Sequence, residues 1–205
     1  DKQNLELLGR WVDPVGSYAH QGWLSDDQQY FFLGDELDEG QQAVPTTTKI
    51  IDISDLANPV SAGNFTNGLA ATDHNLIQTG GLIFEGNYKS GLRVYDATNP
   101  LAPHEVAYFD TYPEDDNVGY SGLWAPYPLF PSGTIIGADR GRGLFIWKMV
   151  VLGDLNGDDL VDVADLLILL SQWGPCGDGP PCDADLNEDG RIDVADLLIM
   201  LAEWS

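Results

Sequence analysis

Two twelve-residue stretches near the C-terminus, 154–165 and 185–196, constrain the fold of this chain more than any other part of its sequence. Each has oxygen-bearing side chains at positions 1, 3, 5, 9 and 12, a spacing that surrounds a hard cation, while position 7 contributes a backbone carbonyl. The duplicated spacing predicts two calcium ions, one in each loop. The expected ligands are Asp154, Asn156, Asp158, Leu160, Asp162 and Asp165 in the first loop, and Asp185, Asn187, Asp189, Arg191, Asp193 and Asp196 in the second.

A helix is predicted directly after each loop. Apolar residues recur there at intervals of three and four, the period of one helix face. No convincing helix precedes either loop, so each copy is a loop followed by a helix, which is half of an EF-hand. We expect the two apolar stripes to pack against each other. The stripes are Val163, Leu166, Leu167, Leu170 and Trp173 in the first copy, and Val194, Leu197, Leu198, Leu201 and Trp204 in the second.

The paired loop–helix copies resemble the type I dockerin domain over about residues 153–205. The resemblance implies a small all-α module, 152–205, that docks in the presence of calcium onto a cohesin-like protein module or a cell-surface scaffold in polysaccharide-degrading assemblies. Position 12 is Asp in both loops, where the EF-hand loop has Glu. Asp159 stands where the sharp turn of the loop usually takes Gly, as at Gly190. Asp tolerates a left-handed backbone better than most residues, so we expect a weaker first site and not a lost one.

A second, smaller apolar strip runs along each predicted helix. Apolar residues repeated on an exposed helix face suggest a surface for a partner, although burial within the module is an open alternative. Because the two copies are so alike, a partner could bind in either of two orientations related by a half-turn. The strip consists of Ala164 and Ile168 in the first helix and of Ala195 and Ile199 in the second.

The chain is strongly acidic, with a formal net charge of −24. From Leu152 onward, 13 acidic residues accompany a single basic residue, Arg191. Such a charge repels phosphate backbones, and no basic patch offsets it, so nucleic acid is not expected as a partner. The longest apolar run, 166–170, is far too short for a membrane span.

Cys176 and Cys182 are the only two cysteines, and they lie between the two loop–helix copies. A CxxC-type metal site would need closer spacing and more ligands, so we predict a small loop-closing disulfide. A disulfide and calcium loops both favour an extracellular, secreted or cell-surface setting. The first residues are not a signal peptide, and we expect one upstream of this chain.

Residues 1–150 have the composition of an all-β region, with short β-branched or aromatic runs between turn residues. An internal repeat places 29–36 over 81–88, and the stretch 81–95 over 133–147. Each copy therefore predicts four antiparallel strands, and repeated four-stranded units suggest blades of a β-propeller. We expect two complete blades and two partial ones. The first partial blade is a strand at 5–11, and the second lacks its fourth strand near Met149.

These repeats resemble LVIVD repeats, and several runs are similar to the choice-of-anchor B family of exported bacterial proteins. The runs are 18–24, 73–75, 87–96 and 108–113. The resemblance implies that 1–150 is the C-terminal part of a propeller, with the dockerin as the attachment module. The predicted fold is therefore mainly β: a partial β-propeller followed by a small all-α module. The family implies no established reaction.

Polar residues at the strand ends form the candidate site of the β region. In a four-stranded meander, strand 1 begins on the face where strand 2 ends, which brings two histidines near several acidic and amide side chains, Glu36 among them. Such a set suits a metal or a sugar-like ligand, or it satisfies backbone groups at strand ends. The candidate residues are His20, His74, Asp35, Asn87 and Asp139.

Three functions are compatible with the sequence. The first is a non-catalytic secreted propeller, used for binding or as a scaffold and attached through its dockerin. The second is an enzyme on extracellular polysaccharide that the same dockerin targets, although no catalytic set is identifiable. The third treats the calcium loops as a stabilised stalk without a cohesin-like partner. Carbohydrate is a further possible ligand.

Overall fold

In a computed structural model, the chain forms two compact units, Asp1–Lys148 and Met149–Ser205. The structure describes residues 4–14, 18–177 and 182–204. The first unit consists mainly of antiparallel β-sheets, and the second is built around two short helices. The mainly β composition predicted from the sequence is confirmed. None of the helices in these described ranges is long and apolar enough to cross a membrane.

The first sheet is a four-stranded meander in which each strand pairs with the next one along the chain. Its inner strands are the most buried, and Phe32 pairs across the strands with Ile50 inside the core. A short helix, α1 (Asp38–Gln42), interrupts the connection between the second and third strands. The strands are β1 (Gln21–Leu24), β2 (Tyr30–Gly34), β3 (Thr47–Asp52) and β4 (Val60–Thr66).

Two further sheets repeat this arrangement. The second has four strands in chain order, and the third has three. In the first two sheets the pairing of strands three and four shifts register at matching places, after Ile50 and after Val94. The strands are β5 (Asn75–Thr79), β6 (Leu82–Gly86), β7 (Leu92–Asp96), β8 (His104–Phe109), β9 (Leu123–Tyr127), β10 (Thr134–Asp139) and β11 (Gly143–Lys148).

A shared hydrophobic core joins the first two sheets. Phe65 of the first sheet meets Tyr95 of the second edge to face, with ring centroids 4.8 Å apart. The first strands of successive sheets lie next to each other, since β1 contacts β5 and β5 contacts β9. The core cluster consists of Phe32, Ile50, Phe65, Leu76, Ile83, Tyr95 and Ala97.

The strand predicted at 5–11 is not formed. Residues 4–11 have no strand assignment, and Leu5 and Leu7 are exposed. The segment is tethered instead by side chains, for example by the Trp11 indole, which donates to Oγ of Ser61 at 3.1 Å. A strand exists only where a neighbouring strand accepts its ladder of hydrogen bonds, and the described residues supply none here.

The second unit contains a helix after each loop, as the sequence predicts: α2 (Val163–Ser171) and α3 (Val194–Ala202). It also contains a pair of two-residue strands, β12 (Gly174–Pro175) and β13 (Arg191–Ile192), so it is not purely helical. Its core consists of Val161, Leu169, Ala184, Ile192 and Met200.

The prediction that the two apolar stripes pack against each other is wrong. Leu167 is 63% exposed and its counterpart Leu198 is 62% exposed, whereas Leu169 and Met200 are completely buried. Position 12 of each loop, Asp165 or Asp196, has to face its own loop, and the residue four places later lies on the same helix face. That face turns inward, and most of the predicted stripe is therefore directed to solvent.

Candidate functional sites

The first residue of each calcium-type loop organises the loop backbone. The Asp154 carboxylate accepts hydrogen bonds from the amides of Gly157, Asp158 and Asp159, at 2.7, 3.2 and 2.9 Å. In the second loop, Asp185 accepts from the amides of Asp189 and Gly190 at 3.1 and 2.8 Å. The backbone of each loop thus curls around the carboxylate at its first position.

The third and fifth positions are linked in both loops. The Asn156 amide group donates to Asp158 at 3.0 Å, and Asn187 donates to Asp189 at 3.2 Å. The position 7 backbone is held as well, because the amide of Leu160 donates to Asp158. These contacts connect positions 3, 5 and 7 of the first loop and positions 3 and 5 of the second.

The last ligand position is a buried carboxylate. Asp165 accepts hydrogen bonds from the amides of Leu155 and Asn156 on one oxygen and from the amide of Asp162 on the other. Burial raises the pKa of Asp165, but these backbone amides together lower it further, so the net pKa lies below the ordinary value. The same balance lowers the pKa of Asp196. Both groups are therefore held as carboxylates.

Position 9 has a role beyond the loop. Asp162 and Asp193 are the N-caps of α2 and α3, and each accepts a hydrogen bond from the backbone two residues on, at 2.7 and 2.9 Å. A capping box with the position 12 carboxylate completes each helix start. The side chain at position 9 thus belongs to the loop and also caps the helix that follows.

The two loops distribute their glycines differently. Position 4 has a positive φ in both, with Gly157 at 79° and Glu188 at 59°. Position 6 does as well, with Asp159 at 68° and Gly190 at 87°. Each loop therefore has one residue other than glycine in the left-handed region, so the glycine missing at Asp159 does not by itself distinguish the loops.

The loop residues fit a hard cation such as calcium. Oxygen atoms of Asp154, Asp158 and Asp165 lie within 4.8 Å of one another, the separation expected when several oxygens surround one ion at 2.3–2.6 Å. The donor set is oxygen only, as calcium requires. Three carboxylates this close repel one another, so a bound cation would stabilise the loop.

A disulfide joins Cys176 and Cys182. Both cysteines also hold the backbone around the second loop: Cys176 donates its amide to the Gly190 carbonyl, and the Asp185 amide donates to the Cys182 carbonyl, each at 2.9 Å. Their sulfur atoms pack against the core of the second unit. The backbone groups of the two cysteines therefore connect the segment between the two copies to the second loop.

The strip predicted for partner binding is only half exposed. Ala164 and Ala195 are exposed, but Ile168 and Ile199 are partly buried. More apolar surface is exposed on the adjacent side of each helix, which sequence reasoning assigned to the core. We call it the exposed helix face; it consists of Val163, Leu167 and Leu170 in α2 and of Val194, Leu198 and Leu201 in α3.

In the first unit, the structure brings His20, His74 and Glu36 together. Nδ1 of His20 lies 3.4 Å from Oε2 of Glu36, and Nε2 of His74 lies 3.7 Å from Oε1 of the same carboxylate. The two imidazole rings stack with centroids 4.6 Å apart. His20 and His74 directly precede β1 and β5, so the contact between these first strands brings the rings together.

The remaining three candidate residues have other contacts. Asp35 accepts from the amide of Asp38 and pairs with Lys49. Asn87 accepts from the His74 amide at 3.3 Å and donates to Glu85 at 2.8 Å. Asp139 accepts from the backbone of the turn that follows it, at Gly141 and Arg142.

Glu36 is not one of the five candidate residues predicted from the sequence, although the strand order predicts that it lies on the same face as the two histidines. It has a positive φ of 57°. This conformation is uncommon outside glycine and turns the Glu36 side chain away from the course of a regular strand. Nothing in a single sequence signals such a turn.

The surroundings of His74 fix its protonation pattern. Nδ1 lies 2.6 Å from the carbonyl oxygen of Trp124, which can only accept, so Nδ1 carries the hydrogen. Burial lowers the pKa of His74, and the hydrogen bond to Trp124 opposes this only in part. His74 is therefore held neutral, with its Nε2 lone pair on the side of Glu36.

A cavity of about 380 Å³ lies near this cluster, lined by Tyr112, Tyr120, Asp139, Arg140 and others. The Tyr120 ring contacts the Tyr88 ring, with centroids 5.3 Å apart. Two arginines line the cavity: Arg140 donates to the Tyr120 carbonyl, and Arg142 donates to the Thr111 carbonyl. Tyr120 links the cavity to Tyr88, the residue whose hydroxyl donates to Glu36.

Comparison with known proteins bears on the second unit. The family model described as "Dockerin type I domain" matches residues 152–203. No curated protein matches the chain. Among solved structures, "Crystal structure of the computationally designed Ika4 protein" is similar with 11% identity and a TM-score of 0.40, covering 72% of this chain and 99% of that one. The C-terminal unit, with its duplicated loops and capped helices, is thus similar to the type I dockerin domain.

Proposed function

We propose that the C-terminal unit attaches the β unit, in the presence of calcium, to a cohesin-like protein module of a scaffold or cell surface. The observation that carries this proposal is the exposed helix face, which is present twice with nearly the same exposure. The match of residues 152–203 to the dockerin model supports it. The attached β unit is proposed to bind or to act as a scaffold without catalysis.

The exposed helix face is an apolar surface that occurs once on each helix. Large apolar side chains scattered singly on a surface are common, but repeated apolar patches mark protein interfaces. Leu167 and Leu198 lie at equivalent positions and have almost equal exposure. Burial of such side chains against a partner is favourable by about 25 cal/mol per Å² of apolar surface removed from water.

Calcium has a defined place in this proposal. Asp154, Asn156, Asp158 and Asp165, together with the carbonyl of Leu160, would hold one ion, and the equivalent residues of the second loop would hold another. Asp162 would act through water while it caps α2. A bound ion fixes the loop, and the loop sets the start and orientation of the helix that carries the docking face.

The β unit is proposed to be part of a β-propeller spanning 1–150. The adjacency of β1, β5 and β9 supports this, because first strands lie side by side around a propeller axis. We further propose a secreted or surface-attached setting linked to polysaccharide breakdown. The disulfide between Cys176 and Cys182 is compatible with an oxidising compartment.

Calorimetric titration of the full chain with type I cohesin modules tests the docking proposal. We expect binding in calcium and loss of binding in chelator. The double variant Leu167→Lys and Leu198→Lys should abolish binding, because it places charge on both copies of the exposed helix face. Changing Leu101 to Lys is the matched control: it replaces an exposed leucine of the β unit by the same charged residue, away from the exposed helix face.

Failure of every cohesin module to bind the calcium-loaded chain would contradict docking and leave a calcium-stabilised stalk. Retained binding by the double leucine variant would place the docking face elsewhere.

A further inference from the structure

We propose that His20, Glu36 and His74 form a binding site for a first-row transition metal ion, with Zn²⁺ as its simplest occupant. The site lies in the β unit and is independent of the calcium loops and of docking. Two imidazoles and one carboxylate are a set of ligands typical of such ions. Calcium, which takes oxygen ligands, is not expected to compete for it.

The ligand separations are close to those of a tetrahedral site. Zinc bonds of 2.0–2.1 Å to nitrogen and oxygen put neighbouring ligand atoms about 3.3–3.4 Å apart. Nδ1 of His20 lies 3.4 Å from Oε2 of Glu36, and Nε2 of His74 lies 3.7 Å from Oε1 of the same carboxylate. All three residues offer ligand atoms within 4.8 Å of one another. Rotation of the side chains would let a single ion contact all three residues.

His74 presents Nε2 to Glu36. Nδ1 of His74 lies 2.6 Å from the Trp124 carbonyl oxygen and donates to it, which leaves Nε2 as the ring nitrogen that can bind an ion. Nε2 lies 3.7 Å from Oε1 of Glu36, and the same oxygen accepts a hydrogen bond from the Tyr88 hydroxyl at 2.7 Å. A cation between this nitrogen and this oxygen would contact both.

The residues behind the ligands have the arrangement of a second coordination shell. A histidine that binds a metal usually donates its other ring nitrogen to a carbonyl or carboxylate, as His74 does to Trp124. The Tyr88 hydroxyl orients Glu36. Asp73, which is buried, accepts the backbone amide of Glu36 and so supports the turn on which this ligand stands.

Two residues of the cluster have left-handed backbone conformations. Glu36 and Tyr88 have positive φ values of 57° and 43°, and their side chains are hydrogen-bonded to each other. Left-handed conformations of residues other than glycine concentrate at functional sites, where surrounding contacts hold them. Here the proposed ligand Glu36 and the residue that orients it, Tyr88, both have this conformation.

The cluster is accessible from one side only. The His74 side chain is 2% exposed, whereas His20 is 23% and Glu36 is 16% exposed. Three protein ligands with an open side leave a coordination position for water or an exogenous ligand, as in zinc sites that bind substrates. Trp124 stands beside the cluster, with its ring centroid 4.4 Å from that of His74.

Titration of the full chain with Zn²⁺ in a large excess of calcium tests the site, because calcium occupies the acidic loops. We expect one zinc ion per chain. Changing Glu36 to Gln or His20 to Gln should weaken zinc binding by more than about 10-fold. Loss of a residue that only orients a ligand already weakens metal binding by about 10-fold or more, and loss of a ligand should have a larger effect. Tyr88→Phe should weaken it by roughly 10-fold, because the hydroxyl orients Glu36.

The matched control is His104→Gln, since His104 is the third and last histidine of the chain and belongs to the edge strand β8. We expect its zinc affinity to equal that of the wild type. Cobalt substitution provides a second readout: the visible spectrum should show nitrogen-ligated tetrahedral Co²⁺ in the wild type and in the His104 variant.

One measurement needs no variant. Zinc added to the calcium-saturated wild type should raise the unfolding temperature of the β unit, since a ligand that binds only the folded state stabilises it. A wild type without this rise, or with a zinc Kd weaker than about 100 μM, would overturn the proposal. Equal zinc affinity of the folded Glu36→Gln chain and the wild type would overturn it as well.

Discussion

At the scale of single residues, the two calcium-type loops show the same backbone requirement met by different side chains. Gly157 and Glu188 share position 4 and a positive φ, as do Asp159 and Gly190 at position 6. The conformation belongs to the loop and not to the glycine. A residue other than glycine at such a position destabilises the loop by roughly 1 kcal/mol.

We predict that Glu188→Gly stabilises the C-terminal unit by about 0.5–1 kcal/mol. The change removes a Cβ that is unfavourable in the left-handed region, and this gain exceeds the additional conformational entropy that glycine loses on folding. Urea unfolding in calcium measures the change. Gly157→Ala is the opposite control: a Cβ there meets nothing within 4 Å, so its expected destabilisation reports backbone conformation alone. A stability loss in Glu188→Gly would refute this account.

A second prediction concerns Glu85, which is buried in the β unit and accepts hydrogen bonds from Thr48 and Asn87. Burial raises the pKa of Glu85 to about 7, and the two hydrogen bonds oppose this only in part. Between about pH 4.5 and 7 the folded state therefore retains a proton that the unfolded state releases. Stability due to this group is present at low pH and is lost as pH rises through 7.

Changing Glu85 to Gln should remove this dependence and raise stability at pH 7.5 relative to pH 5, by at most about 1.4 kcal/mol per pH unit in the window. Burial also raises the pKa of Asp38 to about 7. The stability of the Glu85→Gln variant should therefore still fall somewhat as the pH rises towards 7. His74, whose pKa burial lowers, contributes the opposite sign below its ordinary pKa. Thermal unfolding across pH measures the slopes. Exposed Asp116→Asn is the control, and an unchanged slope in Glu85→Gln would contradict the assignment.

At the scale of secondary-structure elements, the two helices show how a correct period can lead to a wrong face. The interval of three and four residues predicts α2 and α3, and both are present. Both sides of each helix carry apolar residues, however, so the period does not distinguish the side of Leu167 from the side of Leu169. The amide contacts of Asp165 with the loop decide which side is buried.

This orientation determines the expected effect of the double variant Ile168→Lys and Ile199→Lys. Both isoleucines are partly buried. We predict that the variant lowers the stability of the C-terminal unit, by about 1–3 kcal/mol for partly buried charge, and that the loops still bind calcium. Calorimetry with calcium and thermal unfolding measure the two effects.

The double variant Leu167→Lys and Leu198→Lys is the contrasting case: it should weaken docking without loss of stability. Equal stability of the isoleucine variant and the wild type would show that these side chains face solvent.

At the scale of the whole molecule, the chain combines two units with separate cores and different electrostatics. The core of the β unit consists of aromatic and aliphatic side chains, whereas the C-terminal unit has a small core beside two acidic loops. From Leu152 onward, acidic residues outnumber basic ones by 13 to 1. Repulsion among the loop carboxylates opposes folding of this unit when no cation is bound.

We predict that a calcium chelator lowers the unfolding temperature of the C-terminal unit and leaves that of the β unit unchanged. Differential scanning calorimetry of the full chain should show two transitions, of which one moves with calcium. Isothermal titration should give two calcium ions per chain, and Asp154→Asn with Asp165→Asn should reduce this to one. A single transition that is insensitive to chelator would refute the role of calcium in folding.

The sequence by itself determined the local features: the ligand spacing of both loops, the helix after each, and the strands that follow His20 and His74. These depend on residues close together along the chain, through hydrogen-bonding turns and side-chain period. Only the tertiary structure decided which helix face is buried and that Glu36, with its left-handed backbone, joins the two histidines. Such choices depend on atoms brought from distant segments, such as the Trp124 carbonyl beside His74 and the Asp73 carboxylate beneath Glu36, and no local pattern encodes their positions.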